Sequence, residues 1–99
     1  MKDKNYMYPA VITKFAEDDY NVKFPDIEEI NTFGSTLAEA YDMAEDALKL
    51  HLFDAYSDGI ELQEPEILFI KTQENQTLIH IKANLASIIT EYAEESIAN

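Results

Sequence analysis

One junction constrains the fold more than any other stretch of this chain. Phe24-Pro25-Asp26-Ile27 is followed closely by Gly34-Ser35-Thr36-Leu37-Ala38-Glu39-Ala40. Before it, Tyr20, Val22 and Phe24 alternate with Asn21 and Lys23, a two-residue period that puts the three apolar residues on one sheet face. Pro25 cannot donate to a ladder, so it ends the strand. Ile30–Phe33 fits a short third strand, and Gly34 breaks the chain before a helix. Thr36 and Glu39 fit a capping box, in which the hydroxyl accepts a free backbone N–H and the carboxylate reaches back. Ser35 is a competing cap.

The spacing predicts a long helix over Leu37–Tyr56, about 30 Å at 1.5 Å per residue. Leu37, Tyr41, Ala44, Leu48, Leu52 and Ala55 recur at helical intervals as one apolar stripe. Glu39, Asp42, Glu45, Asp46 and Lys49 lie opposite. Asp58-Gly59 predicts the stop, with Gly59 supplying a left-handed C-cap.

Upstream, Met7–Phe15 reads as a strand rich in β-branched and aromatic types. Its Pro9 belongs at a strand start or on an edge. Ala16–Asp19 is a polar turn that makes the first two strands an antiparallel hairpin. Downstream, Glu61–Pro65 is an extended connection. Ile67–Lys71 and Thr77–Lys82 pattern locally as a second hairpin. Asn84 caps a last helix, Leu85–Ile97, with Leu85, Ile88, Ile89, Tyr92 and Ile97 as its apolar positions. The expected class is α+β: a small antiparallel sheet in the order ββ(β)αβα. One long helix packs on it, and a short helix closes the chain. Ninety-nine residues fit a single domain over 1–99.

Charge narrows the function classes. Twenty Asp and Glu face seven Lys and no Arg, a net charge of −13. Affinity for nucleic acid rests on cations that neutralise phosphates, so direct DNA or RNA binding is not expected. An acidic surface favours encounter with a basic partner, although charge of this size also serves solubility alone. With no cysteine there is no disulfide framework, thiolate metal site or thiol nucleophile. No apolar run reaches the roughly 18 residues of a membrane span, and no signal core precedes the first strand, so a cytoplasmic protein is expected.

The residues carry no catalytic constellation. Asp18, Asp19, Asp26 and Glu39 are oxygen ligands of the kind magnesium takes, yet turn and cap roles account for each. His51 and His80 lack a metal-binding partner spacing. No metal, cofactor or catalytic residue is therefore assigned. A metal-dependent nuclease is the rival class, and base stacking by the tyrosines is a third reading. Interface roles are assigned on exposure and residue type. The helix acids Asp42, Glu45 and Asp46 are the expected partner-binding residues. Tyr6, Tyr8, Ile88 and Tyr92 are the expected contacts of a homodimer, the commonest closed oligomer.

Three segments together resemble the HicB family, the antitoxins of type II toxin–antitoxin systems. They are Tyr8-Pro9-Ala10-Val11-Ile12, Tyr20–Ile27, and Thr32–Ala40 continuing through Ala44-Glu45-Asp46-Ala47-Leu48. Gly59–Pro65 resembles the family's exit from the helix. The resemblance implies a partial ribonuclease-H-like fold without the nuclease's metal-binding acids. It also implies that Thr77–Ala83 is the strand after the helix and Ile67–Thr72 an irregular connection, against the local hairpin pattern. In function it implies neutralising a small basic HicA-type toxin that cuts messenger RNA, or an orphan relative without a toxin. The alternative is an RNA-binding or RNA-metabolism module on the same scaffold, without activity of its own. Many members add a C-terminal DNA-binding module. Here one helix follows the last strand, with no Lys or Arg after Lys82, so a short form without operator binding is expected.

Overall fold

A computed structural model describes residues 4–62, 64–66 and 69–98. The elements are β1 (Asn5–Ala16), β2 (Asp19–Phe24), β3 (Ile27–Gly34), α1 (Leu37–Ser57), β4 (Gln76–Asn84) and α2 (Leu85–Ala98). Alternation along β1 sends Tyr6, Tyr8, Ala10 and Ile12 into the core. Val22 and Phe24 of β2 and Ile81 and Ala83 of β4 join them, and α1 lays Ala40, Ala44, Leu48 and Leu52 across the same face. The result is α+β, with one long helix on an antiparallel four-stranded sheet of order β3-β2-β1-β4.

Among the described residues the local second hairpin does not form. β4 pairs antiparallel with β1, from Asn5↔Asn84 to Thr13↔Gln76. Phe69–Lys71 is irregular, while Ile67 and Leu68 lie outside the described residues. The physical reason is that β1 offers a longer partner, whose inward residues continue the core beside Ile81 and Ala83. This pairing also makes β1 central, so Tyr6 and Tyr8 are not on an edge strand. Pro9 is tolerated there because the β2 ladder begins only at Val11↔Lys23. On that side the proline lies beyond the pairing.

The strand-to-helix junction is built from local bonds. Thr36 caps α1, its hydroxyl accepting the Glu39 N–H at 3.0 Å. The Glu39 carboxylate accepts from the Ser35 N–H at 2.9 Å, one residue before the cap. Gly34 has a reason beyond breaking the strand: a Cβ there would lie 2.5 Å from the Ala40 nitrogen. Only a glycine lets β3 pass so close to the first turn of α1. At the other end Gly59 takes φ 72°. The Gly59 N–H donates to Tyr56 C=O and the Ile60 N–H to Ala55 C=O, the bond pair of a Schellman cap.

Two differences from the predicted stripe follow from packing. Ala40 is fully buried, whereas Leu37 and Tyr41 are exposed at the start of α1. The close approach at Gly34 leaves room there only for a methyl group. In the β1–β2 turn, Asp18 takes a left-handed φ of 60°, a conformation aspartate accepts more readily than most residues.

Candidate partner-binding surface

Helix α1 presents three surfaces, fixed by its 3.6-residue repeat. The first is buried on the sheet. The second faces α2, where the Phe53 and Tyr92 rings meet at 4.8 Å between centroids. There Lys49 lies 3.9 Å from Glu45 and 3.9 Å from Glu91. Such long, part-exposed pairs contribute little to stability. The third surface is open to solvent; exposed Asp46 lies on it, and exposed Asp42 lies at its border with the second, on the row that runs on to Lys49 and Phe53.

The three expected partner-binding acids are therefore not equivalent. Asp42 and Asp46 are open to solvent, while Glu45 is half-buried beside Lys49. Reading the charges alone missed that Met43 and Leu50 share the outer surface, 41% and 51% exposed. The signal was present in the sequence: two large apolar residues seven apart, off the core stripe.

The four residues expected at a dimer contact have places within one chain. Tyr6, Tyr8 and Ile88 are 6%, 2% and 2% exposed in the core. The Tyr6 and Tyr8 rings stack, and Tyr92 packs on Phe53. Contact with a second copy is not needed to cover them. The Ile97 side chain lies outside what the structure describes.

Beneath the C-terminal half of α1 lies a cleft of about 590 Å³, lined among others by Tyr8, Asp26, His51, Leu52, Leu62 and Glu66. The Glu66 N–H donates to the Asp26 carboxylate at 3.0 Å, and Lys4 pairs with Glu64. Burial pushes the Tyr8 hydroxyl up to about 12, helped by Tyr6 and by the Glu64 and Asp26 charges. The Lys4 ammonium is also raised, chiefly by its hydrogen bond to Glu64.

The candidate magnesium ligands do not gather at one place. Asp18 and Asp19 sit at the β1–β2 turn, Asp26 holds the connection, and Glu39 closes the cap of α1. His51 is half-buried at the cleft, and His80 is exposed on β4 opposite Pro9. Among the described residues no helix is long and apolar enough to cross a membrane.

An acidic α+β domain with this order of elements has known counterparts. Residues 8–95 match the family described as HicB_like antitoxin of bacterial toxin-antitoxin system. The chain belongs to the HicB-like antitoxin family. It is 47% identical over 55 residues to Antitoxin HicB of Escherichia coli (strain K12), covering 56% of this chain and 39% of that protein. It is 43% identical over 58 residues to Antitoxin HicB 1 of Photorhabdus laumondii, covering 59% and 37%. The matched region thus spans less than half the length of either relative. The fold also matches a chain of a toxin–antitoxin complex from Streptococcus pneumoniae, with TM-score 0.69 and 21% identity over 85% of this chain and 72% of that one. The N-terminal domain of Burkholderia pseudomallei antitoxin HicB gives TM-score 0.60 and 16% identity over 76% and 94%.

Proposed function

We propose that this chain is a non-catalytic antitoxin that binds and neutralises a small basic ribonuclease toxin of the HicA type. Family membership across residues 8–95 carries the reading. The charge of −13 supports it, because an acidic surface draws in and covers a cationic RNA-binding face. The exposed acids of α1, Asp42 and Asp46 foremost, are the surface we assign to that contact. In this reading the protein works in the cytoplasm, where messenger RNA is cut. It also pairs with a second copy, through the edge of β4 that no described strand covers rather than through its buried tyrosines, since a sheet edge presents N–H and C=O groups for pairing.

The test is to purify the protein and the HicA-type toxin of its own operon and follow cleavage of a messenger RNA. Stoichiometric protection is expected. Cleavage that continues at excess antitoxin would sink the proposal. Sedimentation of the antitoxin alone reports on pairing, and a monomer mass at high concentration removes the β4 contact.

A further inference from the structure

The outer surface of α1 is more specific than a general acidic face. Met43, Asp46, Leu50 and Asp54 fall at helical spacings of three, four and four, and all are exposed. They form one ridge roughly 17 Å long at 1.5 Å per residue, alternating apolar and acidic side chains. Among the described residues neither Asp46 nor Asp54 forms an ion pair, whereas Glu45, next to Asp46 in the chain, meets Lys49. The core does not use Met43 or Leu50: the buried stripe beneath is Ala40, Ala44, Leu48 and Leu52. Two large apolar side chains left exposed among acids suit a protein contact better than a purely solvated helix face, since methionine is enriched at such contacts.

We infer that this ridge is the docking element of the antitoxin. It receives a basic protein surface whose Lys or Arg side chains meet Asp46 and Asp54 while an apolar socket takes Met43 and Leu50. The inference rests on the toxin-binding reading and specifies its surface. Charge complementarity selects the occupant. A nucleic acid would meet unpaired carboxylates along the whole ridge. A second copy docking through the same ridge by a two-fold axis would set acids against acids. A basic protein satisfies both the charge and the apolar component. The carboxylates steer and orient the encounter, and the apolar pair slows its dissociation.

Four proteins test this: the wild type, Asp46→Lys with Asp54→Lys, Met43→Ser with Leu50→Ser, and a control of equal charge change, Glu28→Lys with Glu74→Lys. All substituted positions are exposed, and thermal melts check that each variant folds. Binding to the HicA-type toxin of the same operon is measured by calorimetry at two salt concentrations. Each ridge pair is expected to weaken binding roughly tenfold or more, and the acid pair should also flatten the salt dependence. The control should stay within about twofold, as dispersed surface charges contribute little. Toxin binding by the wild type that survives either ridge pair unchanged overturns the ridge and leaves the toxin reading standing. A wild type that binds no HicA-type toxin removes that reading, and the ridge with it.

Discussion

The two long faces of α1 have opposite compositions. Towards the sheet, Ala40, Ala44, Leu48 and Leu52 are 0–1% exposed, and two of the four are alanines. Away from it, Met43 and Leu50 are about half exposed, with Asp46 and Asp54 around them. Small residues at the N-terminal end of the inner face let the helix approach β3 until only a glycine fits at position 34. Large residues on the outer face have no such neighbour. The contrast separates side chains that hold the domain together from side chains that stability does not require.

The sharpest way to break this comparison is to truncate one leucine on each face. Leu48→Ala opens a cavity in a packed interior and should cost about 3 kcal/mol, measured by urea denaturation. Leu50→Ala, two residues on, should change stability by no more than about 0.5 kcal/mol. Equal losses would mean that the outer face is structural too. Gly34→Ala probes the close approach itself. Its methyl group must displace the backbone of Ala40, at a cost of about 2 kcal/mol. A stability equal to wild type would show that the helix is free to move away from β3.

The cap serves both faces equally. Thr36→Ala removes the acceptor for the Glu39 N–H and should cost about 1 kcal/mol, with Thr36→Ser restoring most of it. The smallest effect at neutral pH concerns Tyr8, under the inner face. Its hydroxyl is held near 12 in the fold, above its ordinary value near 10, so the folded chain retains this proton more strongly than the unfolded one. The stability from keeping Tyr8 neutral is fully present below pH 10 and is lost as pH rises towards 12. Stability measured across that window should fall in the wild type and fall less in Tyr8→Phe. Identical slopes would place Tyr8 in contact with water.

Features set by neighbouring residues were legible in the sequence. The cap at Thr36, the left-handed Gly59 and the Asn84 cap of α2, whose side chain accepts the Ser87 N–H at 2.8 Å, each depend on a few consecutive residues. The alternation of Tyr20, Val22 and Phe24 likewise marked one face of β2. The partner of β4 was not legible, because Leu78 pairs with Val11 across most of the chain. Pattern alone favours the nearest strand-like segment, and loop-closure cost adds to that bias. Nor could the charges of α1 show that Glu45 turns towards α2 while Met43 and Leu50 stay uncovered. That depends on where α2 docks, through Phe53 and Tyr92.

By itself, then, the sequence determined the first hairpin, the long helix with both its caps, and the family, since periodicity, capping and motif order are carried by short stretches of chain. Tertiary structure alone decided that β1 lies at the centre of the sheet, that Tyr6 and Tyr8 serve the core, and which face of α1 remains free. Those outcomes depend on contacts between segments far apart in the chain, where burial of a shared apolar face outweighs local preference.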